Sequence, residues 1–335
     1  MTPGAPWIAG GVAAAGAGLA LALLLRLASR LPQALPGPRS LHAAPVPRVG
    51  GLAIWAGALP VGLAAPAAVP GAWVVWLLAT GLVAGVSLLD DWRGVHPAAR
   101  LASHFVAALA VALNLAGAGP DAAPLGHALG AGGSVLLLVW AANLYNFMDG
   151  SDGLAAAMGV FGFGAYAGAA GLAGAPAAVH VAVAVATLTF LAFNLPPARI
   201  FMGDVGAVPM GFLAAALGMG GWRTGTWPAW FPLLVFLPFI ADASITLGKR
   251  LWRRERIWEA HKMHYYQRLH QLGAGHRGTL LVFGALMAGT TASALATLAV
   301  DPGSGWLVLA AWSVAMAAFF SGIDYHWRHR TAAHR

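Results

Sequence analysis

The residues that could do chemistry in this chain are few and carboxylate-rich. Asp90 and Asp91 stand side by side at the end of an apolar run, Leu88-Leu89-Asp90-Asp91-Trp92-Arg93. Adjacent carboxylates do not both ionise cheaply unless a cation or a proton sits between them. The pair therefore suits a general base beside a divalent ion, or, more plainly, a polar helix terminus. A second cluster reads Asn143-x-x-Asn146-x-x-Asp149-Gly-Ser-Asp152-Gly153-Leu154. Its amides and carboxylates offer oxygen ligands on a sharply turning backbone, which is hard-cation and polar-ligand chemistry. A turn explains one Asp-Gly pair but not the Asn-x-x-Asn-x-x-Asp lead-in. A third, Asn194-Leu-Pro-Pro-Ala-Arg199-Ile-Phe-Met-Gly203-Asp204-Val-Gly206, sets one carboxylate between glycines, where a helix cap is the competing reading.

Basic groups accompany these acids. Ser40-Leu41-His42 leads to Pro45-Val-Pro-Arg48-Val-Gly50-Gly51, where Gly-Gly could bring free N–H groups to an anion and Arg48 supplies a forked cation. A Pro-rich turn with a flanking arginine accounts for the same residues. The segment from Lys249 to Arg277 carries eight Lys and Arg against Glu255 and Glu259. It is expected to form an interfacial helix on anionic lipid, anchored by Leu251, Trp252, Ile257 and Trp258. His261 and His264, one helical turn apart, are expected as hydrogen-bond donors to phosphate; a zinc-type site would want more nitrogen ligands. Asp242 lies within an apolar run, where a carboxylate is costly; it either bonds neighbouring helix ends or tunes the site.

The elements that must position these groups are membrane helices. Of 335 residues 59% are hydrophobic and only 9% charged, too few charges to cover a soluble surface. The charges are clumped, and the apolar stretches between them are long enough to cross a bilayer as helices. The expected fold is a single all-α polytopic membrane domain of about eleven spans, with ten as the alternative count. They fall near 7–28, 50–69, 72–89, 101–118, 128–146, 156–174, 176–194, 205–221, 230–248, 278–299 and 304–323. The first apolar run has no preceding Lys or Arg and reads as an uncleaved span with its N-terminus outside. Every Lys and Arg except Arg223 then falls on cytoplasmic connections, and so do Asp90, Asp91, Asp149, Asp152 and Asp204. The net charge of +8 thus reports topology and anionic-lipid contact, and no nucleic-acid partner is expected. There is no cysteine, hence no disulfide or thiolate site. Residues 326–335 are expected to be a disordered basic tail.

Together these motifs resemble the polyprenyl-phosphate N-acetylhexosamine-1-phosphate transferases of glycosyltransferase family 4, over roughly residues 36–270. The resemblance implies transfer of N-acetylhexosamine-1-phosphate from a UDP-N-acetylhexosamine to undecaprenyl phosphate. The products would be undecaprenyl-diphospho-HexNAc and UMP, the first membrane step of lipopolysaccharide O-antigen or another envelope polysaccharide. It implies a multi-pass protein of the bacterial inner membrane, with its site facing the cytoplasm and Mg²⁺ as cofactor (Mn²⁺ as a substitute). Asp90 and Asp91 match the pair assigned to activating the lipid phosphate. Asp149 and Asp152 match the acidic nucleotide and metal cluster, and Asp204, with Asp152, the metal ligands. Asn143, Asn146 and Asn194 match nucleotide-side amides; Arg48, His261 and His264 match basic positions around phosphate or sugar. Two departures stand out. Ala-His-Lys-Met-His-Tyr-Tyr-Gln-Arg-Leu replaces the histidine-rich loop of the muramoyl-pentapeptide translocase, resembling the O-antigen-initiating branch instead. Ala207 stands where the family usually has Ser. The sugar, the downstream polymer, a homodimeric state and a one-step or two-step route are left open. The rival from another class is a transporter with Asp242 as coupling site; such folds show internal repeats, and this chain has none.

Overall fold

The computed structural model describes residues 5–35, 45–66, 69–116, 124–256 and 261–333. Ser40 to His42, Asp121 and Ile257 to Ala260 lie outside the described residues. The protein is a bundle of helices: α1 (Ala5–Arg26), α2 (Gly51–Ala64), α3 (Trp73–Arg93), α4 (Pro97–Ala116), α5 (Pro124–Phe147), α6 (Leu154–Leu172) and α7 (Ala178–Asn194). They continue with α8 (Asp204–Arg223), α9 (Trp230–Val235), α10 (Leu237–Trp252), α11 (Tyr265–Leu269), α12 (Gly275–Val300) and α13 (Gly305–Ala333). Among the described residues seven helices are long and apolar enough to cross a membrane, and α2 and α7 are shorter apolar helices. This is an all-α polytopic membrane protein, and each expected span has its counterpart.

Packing follows the composition. Large apolar side chains such as Leu78, Leu281 and Leu307 point outward, while Ala and Gly fill the interior and let backbones approach. Helix α8 is the hub, packed against α2, α3, α5 and α6 and buried along most of its length. A Cβ on Gly51 would collide with Gly206, and one on Gly211 with the Ala141 carbonyl, so α2 and α5 seat on α8 only through glycine.

Three expectations are corrected. The ninth span is broken at Phe236 into α9 and α10, because Pro238 in the first turn of α10 has no N–H to continue the ladder. The basic segment is not one interfacial helix. Helix α10 ends at Trp252, Arg254 takes a positive φ of 57°, and the chain folds back through α11 and a π turn at His270–Ala274. Leu251 and Trp252 are exposed, as an anchor requires. The C-terminal tail is not disordered through Ala333: α13 continues to that residue. Asp324, Trp327 and Arg330 lie on one face of it and dock on Lys249, Tyr265, Arg268 and Gln271 through ion pairs, a hydrogen bond to the Gln271 carbonyl and an Arg268–Trp327 contact of 5.8 Å.

Candidate active site

The connections α1–α2, α3–α4, α5–α6, α7–α8 and α10–α12 meet at one end of the bundle. In the first, a short antiparallel ribbon pairs β1 (Gln33–Ala34) with β2 (Val46–Pro47). The Phe201 N–H then donates to the Pro47 carbonyl at 2.8 Å, tying this connection to the one before α8. Gly203 sits at a φ of 72°, where a Cβ would collide with the Arg48 carbonyl. Glycine in the Phe-Met-Gly-Asp motif is therefore what lets these two connections touch.

The aspartate pair divides its labour. Asp91 is buried, and its carboxylate accepts from the backbone N–H groups of Asp204 and Val205 at 3.3 and 2.9 Å. It caps α8 from a different helix, compensating the positive helix terminus. Arg48 donates to the Asp91 carbonyl at 2.7 Å, with its Nε 3.8 Å from the carboxylate. Asp90 turns the other way, accepting from the Val95 N–H and the Arg100 guanidinium, both at 2.6 Å. Arg100 also reaches Asp204 at 3.1 Å and so bridges Asp90 and Asp204. In sequence Arg100 is only a charge on a cytoplasmic connection. Its place one turn into the helix after the aspartate pair was the available signal.

The α5–α6 connection divides likewise. Asp152 accepts from the Ala198 N–H at 3.0 Å and lies 3.6 Å from His276 Nδ1, which also accepts from the Asp152 N–H at 3.2 Å. Ser151 Oγ lies 3.1 Å from the same nitrogen. Neither Ser151 nor His276 stood out in sequence, since no motif spacing links positions 125 residues apart. Asn194 is buried and accepts from Gly153 N–H at 3.0 Å while donating to the Ile200 carbonyl at 2.8 Å. Asp152 and Asn194 thus hold the loops together. Asn143 turns back on α5, donating to the Val139 carbonyl at 2.7 Å. The Asn146 side chain and the Asp149 carboxylate make no hydrogen bond among the described residues. Burial pushes Asp149 well above the usual carboxylate range, and the charges of Asp204, Asp91 and Asp152 push it the same way.

Two readings change accordingly. The N–H groups of Gly50 and Gly51 donate to the Phe201 and Met202 carbonyls at 2.9 and 2.8 Å, so the pair packs helices and offers no open anion nest. Among the described residues the carboxylate near Asp204 that accepts no hydrogen bond is Asp149, while one oxygen of Asp152 accepts from the Ala198 N–H. Among the described residues no three His, Asp or Glu side chains gather as a ready metal cage. That suits Mg²⁺, which takes one or two carboxylates and completes its shell with phosphate oxygens and water.

The histidines stand beside this cluster. Asp242 is fully buried and accepts from the N–H groups of Tyr265 and Tyr266, both at 2.9 Å, from Thr246 Oγ1 at 3.3 Å, and faces His264 Nδ1 at 3.1 Å. Its role is structural: it caps α11 and fixes the His264 ring. A carboxylate so fully engaged is a poor transporter coupling site. His264 stacks on Phe147 at 6.0 Å, two residues before Asp149, and Tyr266 donates to the Phe147 carbonyl at 3.0 Å. His261 stacks on His264 at 4.8 Å, and its Nδ1 accepts from the Met263 N–H at 3.2 Å. Burial, His264 and Arg250 lower the His261 pKa to about 4, so at neutral pH it is an uncharged ring with its proton on Nε2.

Residues 73–221 match the profile of Glycosyl transferase family 4. The decaprenyl-phosphate N-acetylglucosaminephosphotransferase of Mycobacterium leprae is 30% identical over 299 residues, 76% of this chain and 74% of that protein. The probable undecaprenyl-phosphate N-acetylglucosaminyl 1-phosphate transferase of Bacillus subtilis is 28% identical over 74% of this chain and 72% of its own length. A phospho-N-acetylmuramoyl-pentapeptide-transferase of Shouchella clausii is 44% identical, but over only 85 residues, 25% of this chain and 26% of its own. With its membrane fold, its carboxylate cluster and this coverage, the chain belongs to the polyprenyl-phosphate N-acetylhexosamine-1-phosphate transferases of glycosyl transferase family 4.

Proposed function

We propose that the protein transfers N-acetylhexosamine-1-phosphate from a UDP-N-acetylhexosamine to undecaprenyl phosphate, releasing UMP. The observation that carries this reading is the Asp90–Arg100–Asp204 bridge beside Asp149, whose carboxylate accepts no hydrogen bond among the described residues. Three carboxylates gather there around one shared guanidinium, an excess of negative charge that a hard cation would balance. Positive-inside sorting supports a cytoplasmic face for this end of the bundle, where UDP-sugars would be available.

A phosphate oxygen of the lipid attacks the β-phosphorus of the UDP-sugar. The new O–Pβ bond forms as the bond from Pβ to the bridging oxygen breaks, and UMP leaves with that oxygen. Phosphate monoesters have a second pKa near 6, so the attacking oxygen needs little help losing its proton. Asp90, with both oxygens engaged, therefore orients Arg100 rather than acting as base. Arg100 and Arg48 hold phosphate oxygens, which brings the two phosphates to attack distance and offsets their repulsion. His261 donates from Nε2 to a phosphate or sugar oxygen, and Asn146 offers its amide on the nucleotide side. Asp204 and Asp149 would hold Mg²⁺, which when bound neutralises charge on the diphosphate. Direct attack is favoured, since an acceptor already anionic needs no covalent relay. The product would prime O-antigen or another envelope polysaccharide.

The test is UMP release by the purified protein with undecaprenyl phosphate, Mg²⁺ and a panel of UDP-N-acetylhexosamines, beside Asp204→Asn. UMP that requires lipid and metal and is lost in the variant supports the reading and identifies the sugar. Folded protein that neither binds a UDP-sugar nor releases UMP overturns it.

A further inference from the structure

Helix α13 is longer than a membrane needs. Its 29 residues measure about 43 Å at 1.5 Å per residue, against a hydrocarbon core of about 30 Å, so its last turns project beyond the bilayer. A buried stripe of Met316, Phe320 and Ile323 faces the bundle, and Asp324, the only acid of the helix, continues it. Three donors from two other elements converge on that one carboxylate. Arg268 reaches Oδ1 at 2.5 Å, Tyr265 donates its hydroxyl to Oδ2 at 3.1 Å, and Lys249 bonds the same oxygen. The Tyr265 ring stacks on Phe320 at 4.1 Å and carries the Arg268 guanidinium 5.2 Å from its centroid. Helix α11 depends on such support. It has only five residues, far short of the roughly 12 at which a helix begins to hold on its own. Asp242 of α10 holds its first two N–H groups, and Asp324 of α13 holds the side chains of Tyr265 and Arg268.

A path of hydrogen bonds runs from Asp324 to a histidine of the site. Asp324 fixes one end of the Arg268 guanidinium through Nη1, and Arg268 Nε donates to the Met263 carbonyl at 2.9 Å. The Met263 N–H in turn donates to His261 Nδ1 at 3.2 Å. That last bond occupies the lone pair of the ring and leaves its proton on Nε2, the donor assigned above to a phosphate or sugar oxygen. Arg268 is buried, and two directional bonds on different nitrogens of one planar fork hold its orientation. Without the Asp324 carboxylate, Lys249 and Arg268 are two unbalanced cations beside one tyrosine ring, and their repulsion turns Arg268 away from Met263. We propose that Asp324 is a positioning residue of the transfer reaction, setting UDP-sugar affinity by holding His261 through Arg268 and Met263. This rests on the transfer reading above for the identity of the ligand. The acceptor phosphate, held by Arg48 and Arg100 in that reading, lies outside the path.

The experiment uses the full chain in phosphatidylcholine nanodiscs, with UDP-N-acetylglucosamine as the probe and undecaprenyl phosphate as acceptor. Asp324→Asn is expected to raise KM for UDP-N-acetylglucosamine roughly tenfold, the scale of one lost hydrogen bond, with kcat and the KM for undecaprenyl phosphate within about twofold of wild type. Asp324→Glu, which keeps the carboxylate, should recover most of the loss. Diethylpyrocarbonate gives a readout that needs no substrate. It attacks an imidazole lone pair, so peptide mapping should find His261 modified several-fold faster in Asp324→Asn, with His104 and His180 unchanged. Should Asp324→Asn not fold, Arg268→Lys carries the test, since it keeps the ion pair to Asp324 but has no second nitrogen for the Met263 carbonyl. Trp312→Phe, which breaks the 3.0 Å indole bond from α13 to Ser293, is the structural control and should leave both KM values unchanged. Wild-type KM in the Asp324 and Arg268 variants, a KM shift matched by Trp312→Phe, or His261 modified no faster would each overturn the proposal. Wild-type protein that binds no UDP-sugar and releases no UMP removes the transfer reading, and faster His261 modification in Asp324→Asn then shows the link to the ring standing without it.

Discussion

The Asp91 carboxylate caps the helix that begins with Asp204, accepting its first two backbone N–H groups at 3.3 and 2.9 Å. Two acidic motifs 113 residues apart are thereby one unit. One aspartate positions the other, and the cluster cannot be divided into independent ligands. Asp91→Ala is expected to destabilise the protein by about 1–2 kcal/mol through loss of the cap. It should also lower activity by displacing Asp204. Asp91→Asn, which keeps one acceptor oxygen, should retain more of both. Thermal unfolding in detergent and UMP release, measured on the same preparations, check the order wild type, Asn, Ala.

Arg100 links Asp90 to Asp204, and its removal leaves two carboxylates facing each other without a cation. Arg100→Ala should reduce kcat/KM roughly 100-fold or more, the scale of losing a charged group aimed at a reacting phosphate. Arg100→Lys supplies the charge but not the fork that spans two carboxylates, and should fall between. Steady-state kinetics with both substrates varied separate the two. An Arg100→Ala enzyme with wild-type kcat/KM would rule out the assigned role.

Asp149 is held protonated well above the ordinary carboxylate value by burial and by three neighbouring aspartates. Between the unfolded and folded pKa values the native state binds the extra proton, so the metal-free protein loses stability as pH rises through that window. Asp149→Asn removes the titration and should stabilise the metal-free protein on the order of 1 kcal/mol at neutral pH. The same change should abolish UMP release. Unfolding scans at several pH values in chelator, beside the assay, would show the opposed effects.

Asp242 satisfies two backbone N–H groups, one hydroxyl and faces one imidazole. Asp242→Ala strands these buried groups and is expected to cost roughly 2–4 kcal/mol. Its effect on the reaction should come through His264. A double-mutant cycle with His264→Gln should therefore show strong non-additivity in kcat/KM. Additive losses would mean that the two act separately.

Gly51 is a packing residue. Gly51→Ala should destabilise the protein by about 1–3 kcal/mol, because the methyl group meets the backbone of α8. In the fraction that stays folded, UDP-sugar affinity measured by calorimetry should be unchanged. A selective loss of affinity at unchanged stability would restore an anion-binding role.

Much of this was legible in the sequence because it depends on short-range rules. Charge scarcity and apolar run length specify membrane helices, so the spans could be located, although the ninth is broken and the last helix runs on to Ala333. The acids fall at one membrane face whatever the helices do laterally, so the convergence of Asp90, Asp149 and Asp204 could also be read. The length of the C-terminal helix is not legible in sequence, because its docking face, Asp324 to Arg330, meets its partners on α10, α11 and the π turn only in the folded chain.

What the tertiary structure alone decided is which polar groups are consumed by the fold and which remain for a ligand. Asp152 and Asn194 look as available in sequence as Asp149 and Asn146. Their difference comes from the loop that passes each one: Ala198 and Gly153 donate to the first two, and among the described residues no group bonds the side chains of the others. Arg100 and His276 became site residues in the same way. In a low-dielectric bundle a buried donor or acceptor left without a partner is costly. The sequence determined which groups enter that competition, and only the packing of helices distant in the chain determined which of them stayed unpaired.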